Sequence, residues 1–172
     1  MPNNSIKYLF IHERFLSSFV LLNQFDSNSI ANKSLSIDND SLDINDCQLI
    51  INTTRDELIK LGEATDLFGK DNDNRLSGII KNIYQTFDCN YLYDSINKRA
   101  AFLFYSIVKN HPFSDGNKRI GALLFLVFLE KHNILNDKFN QNGIVALTIL
   151  IAQSNPDDKD LILELISNMI GS

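Results

Sequence analysis

The nine consecutive residues from His111 to Arg119 contain the side chains of this sequence that are best suited to phosphate chemistry. They read His-Pro-Phe-Ser-Asp-Gly-Asn-Lys-Arg. His111 is suited to general base catalysis near neutral pH, and Asp115 supplies a hard carboxylate oxygen of the kind that Mg²⁺ prefers. Lys118 and Arg119 add cationic donors for phosphate oxygens. Together these residue types indicate metal-assisted transfer from a nucleotide phosphate to a hydroxyl group.

The backbone around these residues is expected to form an anion site. Pro112 ends the preceding helix, and Gly116 permits a tight turn. The turn leads into a helix that starts near Asn117. Backbone N–H groups and the helix dipole attract anions at such an N-terminus.

Each part of the string has a more ordinary interpretation when it is considered alone. A single histidine such as His111 is more often a structural residue at a helix end. Asp115-Gly116-Asn117 is a good turn and helix cap, and Lys118-Arg119 is usual in a solvated first turn. Phe113 is expected to fill the core under either interpretation. Only the combination of all nine residues favours the chemical interpretation.

Helices must position this string, because apolar residues recur at three- and four-residue spacing through most of the chain after residue 47. Five stretches show this pattern: Leu49–Leu61, Arg75–Phe87, Ser95–Lys109, Asn117–His132 and Gly143–Gln153. A sixth helix, Asp157–Ile170, follows Asn155-Pro156, which is typical of a cap and a first helical residue. We therefore expect an all-α fold, with one short extended segment near Cys89–Tyr93.

The fourth of these helices is expected to be central. It is apolar on nearly every side from Ile120 to Leu129, which is typical of a buried helix. Residues 48–172 are expected to form one domain around it. Residues 1–47 are expected to form an N-terminal helix over Ile6–Phe25 and a Ser-, Asn- and Asp-rich linker over Asp26–Asp46.

Composition excludes several other classes of protein. The 172 residues carry a formal net charge of −5, which gives no general footprint for nucleic acid. Cys47 and Cys89 have no partners at metal-ligand spacing, so a disulfide scaffold or a structural zinc site is not expected. The longest uncharged apolar run, Ile120 to Leu129, is far shorter than the roughly 20 residues that span a bilayer. With no signal peptide in view, we expect a cytoplasmic protein without membrane or nucleic-acid partners.

The string resembles the signature of the Fic/Doc family, His-x-Phe-x-Asp/Glu-Gly/Ala-Asn-x-Arg. The matching residues are His111, Phe113, Asp115, Gly116, Asn117 and Arg119. The resemblance extends over roughly residues 62–170. Segments such as Asp66-Leu67-Phe68-Gly69 and Asn82–Phe87 are similar to the Fic/Doc domain of bacterial RhuM-type virulence proteins.

This resemblance implies a Fic/Doc-type helical bundle that transfers part of a nucleotide, often AMP from ATP, onto a protein hydroxyl. His111 would deprotonate the Ser, Thr or Tyr of the target protein, and Asp115 would hold Mg²⁺ against the phosphates. The phosphates themselves would be bound by Gly116, Asn117, Lys118 and Arg119.

The resemblance also implies a short β-hairpin-like flap that aligns the target, by the general mode of strand addition. The segment expected to form it precedes the helix that leads into His111. Its residues are Asp88, Cys89, Asn90, Tyr91, Leu92 and Tyr93.

Two departures from the family pattern bear on the group that is transferred. At position 118 adenylylating members usually have Gly, whereas this chain has Lys, as Doc-like members do. At position 122 many adenylylating members have a second Arg, whereas this chain has Ala. Both favour Doc-like transfer of the terminal phosphate, with AMP transfer as the alternative. A catalytically silent binding module of the same fold is the alternative from another class.

The family's inhibitory motif is not expected in this chain. The nearest string runs from Thr53 to Glu57, but Leu58 follows where Gly or Asn belongs. Self-inhibition is therefore not supported. Control by a separate antitoxin, as in toxin–antitoxin pairs, remains open.

Overall fold

The computed structural model describes residues 41–171, in which six α-helices surround a buried core. The helices are α1 Ile44–Lys60, α2 Arg75–Ile83, α3 Ile96–Asn110, α4 Asn117–Lys131, α5 Gln141–Gln153 and α6 Lys159–Gly171. Strands β1 (Thr86–Phe87) and β2 (Asn90–Tyr91) form a hairpin between α2 and α3. Short 3₁₀ turns at Asp137–Phe139 and Pro156–Asp158 precede α5 and α6. The expected helical fold with one small extended element is confirmed, whereas the predicted helix Ile6–Phe25 lies outside the described residues.

Helix α4 is the centre of the bundle. Its side chains from Ile120 to Leu129 are at most 1% exposed, as its uniformly apolar sequence predicts. Helix α3 packs closely along it at Gly121, where an added Cβ would lie only 2.8 Å from Cγ2 of Val108. No helix in the described part of the chain is long and apolar enough to cross a membrane.

Helix α1 begins five residues earlier than the expected Leu49. The carboxylate of Asp43 accepts hydrogen bonds from the N–H groups of Asn45 (2.7 Å) and Asp46 (3.3 Å), which is a standard N-cap. The expected boundary between residues 47 and 48 therefore falls inside α1. Cys47 points into the core as a free thiol, and burial raises its pKa.

The predicted helix over Arg75–Phe87 is wrong at its C-terminal end. Helix α2 stops at Ile83, and Thr86 and Phe87 instead pair with Tyr91 and Asn90 as antiparallel strands. The chain reverses at Asp88 and Cys89, whose φ angles are +48° and +61°. Two consecutive positive φ angles close a two-residue hairpin with the twist of the strands, which a continuing helix does not allow.

Candidate active site

The string identified in the sequence forms a loop, residues 111–116, between α3 and α4; we call it the motif loop. His111 ends α3 with a φ of +46°, and Gly116 precedes α4 with a φ of +84°. The loop and the first turn of α4 line a cavity of about 210 Å³. Its lining residues are His111, Ser114, Asp115, Gly116, Asn117, Lys118 and Arg119. The structure thus brings together every residue predicted for base, metal and phosphate contacts.

The N-terminus of α4 opens into this cavity. The first backbone bond of the helix runs from Ile120 N–H to Gly116 O at 2.8 Å. The N–H groups of the first turn of a helix are not used in its own backbone hydrogen bonds, and the N-cap residue Gly116 has no side chain to cap them. An oxyanion placed there would meet backbone donors and the positive end of the helix dipole.

The side chain of Asn117 holds the motif loop in shape. Its Oδ1 accepts from Phe113 N–H at 2.9 Å, and its Nδ2 donates to Phe113 O at 2.8 Å. The Phe113 ring is buried in the core, as expected. Asn117 therefore contributes to the cavity through its backbone position, while its amide group fixes the loop.

Arg119 lies at the wall of the cavity and is 7% exposed. Its Nη1 donates to Glu63 O at 2.7 Å, its Nη2 lies 3.5 Å from the Asp115 carboxylate, and its guanidinium carbon lies 4.7 Å from the centre of the Phe68 ring. These contacts preorient a planar cation of the kind that binds phosphate in bidentate fashion. The Asp115 carboxylate beside it is 43% exposed and accessible from the cavity.

The donor set fits a magnesium ion that arrives with a nucleotide. Within residues 41–171 no group of three or more His, Cys, Asp and Glu side chains gathers to form a metal cage. Mg²⁺ is often bound by one or two carboxylates together with phosphate oxygens and water. Asp115, which lies beside the cationic side chains of Lys118 and Arg119, is a carboxylate of that kind.

A turn-containing segment runs along the motif loop, a contact that sequence reasoning missed. We call it the brace and define it as residues 68–72. Three backbone hydrogen bonds join the two segments: Gly69 N–H to Asp115 O (3.1 Å), Ser114 N–H to Lys70 O (2.9 Å) and Asn72 N–H to Pro112 O (2.8 Å). The signal available in the sequence was Gly69, which has a φ of +70° and whose added Cβ would overlap Cγ2 of Ile51.

The segment expected to act as a flap forms the hairpin just before α3, as its place in the sequence predicts, but at the end of α3 away from His111. Its role in aligning a target stays a prediction. Strand β2 leads into the N-terminal end of α3, whereas His111 lies at the C-terminal end. The 15 residues of α3 separate these ends by about 22 Å at 1.5 Å per residue. None of the six residues Asp88 to Tyr93 lines the cavity at the motif loop.

The hairpin instead packs against the first turns of α3. Tyr93 stacks on Phe102 with ring centres 4.3 Å apart. The Arg99 guanidinium lies 3.9 Å from the centre of the Tyr91 ring, and its Nε donates to Tyr93 O at 3.0 Å. The sequence indicated an extended segment next to α3, and the predicted helix Ser95–Lys109 already implied its distance from His111, because a helix of 15 residues is about 22 Å long.

Comparison with known families gives one match. The model of the Fic/DOC family matches residues 39–129, a range that contains the motif loop, the brace and all but the last two residues of the central helix α4. No curated protein and no solved structure matches the chain significantly. Because the family model covers more than half of the 172 residues, and its range contains the full motif loop, the chain belongs to the Fic/Doc family.

Proposed function

We propose that this chain uses ATP and Mg²⁺ to transfer part of the nucleotide onto a Ser, Thr or Tyr hydroxyl of a target protein. The observation that carries this proposal is the single cavity in which an exposed histidine, an accessible carboxylate, two cations and an uncapped helix N-terminus meet. These are the groups that hydroxyl activation and phosphate stabilisation require.

In the proposed reaction, His111 takes the proton of the target hydroxyl, whose oxygen then forms a bond to phosphorus. The bond from phosphorus to the leaving phosphate breaks as this bond forms. Arg119, Lys118 and the first N–H groups of α4 stabilise the negative charge on the phosphate oxygens. Asp115 would hold Mg²⁺, which supplies further charge neutralisation when it is bound.

For the transferred group, the proposal favours the terminal phosphate, with AMP as the alternative. Lys118 lines the cavity and places a cation beside the helix N-terminus. Ala122 is fully buried, so this position brings no second cation to the cavity. The positive charge that orients a triphosphate is therefore concentrated on Lys118 and Arg119.

The target is proposed to approach over the brace and the residues just before it. Leu67 is 51% exposed and immediately precedes Phe68, which bridges to Asp115 of the motif loop. The hairpin lies at the other end of α3, about 22 Å along that helix from the cavity. In this proposal the brace and the residues just before it, which lie beside the cavity, align the target.

The test is parallel incubation with ATP labelled at the α- or the γ-phosphate, using a bacterial lysate as the source of target proteins. His111→Asn is the variant of choice, because asparagine tolerates the positive φ that His111 adopts. Loss of a general base is expected to lower labelling about 10²–10⁴-fold, with an unfolding midpoint close to that of the wild type. Equal labelling by wild type and variant contradicts the enzymatic proposal. Label from the α-phosphate alone shows AMP transfer instead.

A further inference from the structure

Asn72, in the brace, holds the motif loop on both sides of Phe113. Its backbone N–H donates to Pro112 O at 2.8 Å. Its side-chain Oδ1 accepts from the hydroxyl of Ser114 at 2.9 Å, across 42 residues of sequence. Pro112 directly follows His111, and Ser114 directly precedes Asp115, so one residue fixes the neighbours of both.

His111 needs such a restraint because its backbone conformation is unfavourable. Its φ of +46° lies in the left-handed region, which residues other than glycine adopt at an energetic cost. It also precedes Pro112, and the residue before a proline prefers extended backbone. Such a conformation persists only where the surrounding structure enforces it.

We propose that Asn72 is a positioning residue for the proposed transfer. It acts through Ser114 and Pro112 to keep His111 and Asp115 in the arrangement that lines the cavity. Its consequence for catalysis rests on the proposed function, whereas its hold on the motif loop does not. The Asn72 side chain contributes one hydrogen bond between neutral groups. Loss of such a bond typically changes an equilibrium constant, here that for opening of the motif loop, about three- to tenfold.

The first experiment measures amide hydrogen exchange of the motif loop in the full chain without ligand. The variants are Asn72→Ala, Ser114→Ala and the double variant, with Asn82→Ala as the control because Asn82 is exposed on α2. We expect each single variant to speed exchange at residues 113–116 by about three- to tenfold. The double variant should go no further, since both changes remove the same bond. Unchanged exchange in Asn72→Ala overturns the proposal.

The second experiment measures transfer of label from ATP, with kcat and KM separated. Asn72→Ala should lower kcat by a similar factor, with a smaller change in the KM for ATP, because it displaces the base more than it removes a phosphate contact. Asn72→Asp keeps the acceptor oxygen and should restore most of kcat. A lower unfolding midpoint at unchanged kcat shows a merely structural role and overturns the proposal. A wild type that transfers no label ends the proposed function, while the exchange data still decide whether Asn72 holds the loop.

Discussion

The side-chain amide of Asn117 forms a closed pair of hydrogen bonds with the backbone of Phe113, accepting from its N–H at 2.9 Å and donating to its carbonyl at 2.8 Å. The pair ties the first turn of α4 to the middle of the motif loop. It also spans Asp115, whose carboxylate is the proposed magnesium ligand. The loop is therefore shaped by the same helix whose N-terminus is proposed to bind the phosphates.

Replacing Asn117 by Asp tests this pair. The carboxylate oxygen that replaces Nδ2 cannot donate a hydrogen bond to the Phe113 carbonyl. We expect the free energy of unfolding to fall by about 1–3 kcal/mol, the cost of an unsatisfied buried polar group. Urea unfolding gives the value, with Asn82→Asp on exposed α2 as the control. An equal effect of both changes contradicts a special role for the Asn117 amide.

Gly116 is expected to tolerate no side chain. Its φ is +84°, and an added Cβ would overlap the buried ring of Phe68. We expect Gly116→Ala to destabilise the fold by about 1–3 kcal/mol, as overpacking does. In contrast, Gly78 lies within α2 with nothing within 4 Å of an added Cβ, so Gly78→Ala should stabilise by up to about 1 kcal/mol. Thermal unfolding of the two variants should shift in opposite directions.

The hairpin turn offers a stabilising substitution. Cys89 has a φ of +61° although it is not glycine, and the left-handed region costs an ordinary residue roughly 1–2 kcal/mol. We expect Cys89→Gly to stabilise the fold by about 0.5–1 kcal/mol, because glycine adopts this conformation freely. Cys89→Ala removes the thiol but keeps the cost, and its unfolding midpoint should match that of the wild type. If Cys89→Gly and Cys89→Ala gain equal stability, removal of the thiol explains the gain and the backbone conformation does not.

The Asp43 cap predicts a pH dependence of stability. Hydrogen bonds from the backbone N–H groups of Asn45 and Asp46 hold the pKa of the Asp43 carboxyl below its ordinary value of 3.8. A lowered pKa contributes stability that is present above pH 3.8 and lost as the pH falls through the folded-state value. Asp43→Asn keeps a capping oxygen that does not titrate. As the pH falls below about 3.8, the wild type should therefore lose more unfolding free energy than Asp43→Asn does. A difference between the two proteins that stays constant with pH contradicts a capping role for the ionised Asp43 carboxylate.

Lys118 tests which phosphate is transferred. Lys118→Met keeps an apolar stem and removes the charge, and we expect transfer from the γ-phosphate to fall about tenfold or more, as losing a charged hydrogen bond does. Lys81→Met, at an exposed lysine of α2, is the matched control. A fall in γ-label with a gain in α-label would show that Lys118 sets the orientation of the nucleotide. Equal activity of both variants removes Lys118 from the proposed site.

The central helix and the motif loop were predictable because their signals are local. Ten apolar residues in succession specify a buried α4, and the residues from His111 to Arg119 meet in space because one turn of chain holds them. The start of α1 at Ile44 was missed, because the linker was expected to run to Asp46. The available signal was Cys47, which lies three and four residues before the buried Ile50 and Ile51.

The brace and the first strand of the hairpin were not predictable in the same way. The brace contacts the motif loop through backbone hydrogen bonds between distant segments, and backbone groups leave no side-chain pattern. Only the second strand of the hairpin was recognised as extended chain, because Thr86 and Phe87 continue the apolar spacing of the preceding helix and were assigned to it.

The pairing of the brace with the motif loop also affects the order in which the molecule gains structure. Helices α3 and α4 are neighbours in sequence, so their docking closes a short connection, whereas the bond between Asn72 and Ser114 closes a loop across 42 residues. Such non-local closure costs more chain entropy and is slower. The hydrogen bonds of the brace should then form after α3 and α4 dock, and they should be among the first to open when the folded protein fluctuates. Local opening of the brace would disassemble the proposed active site while the helical core stays intact.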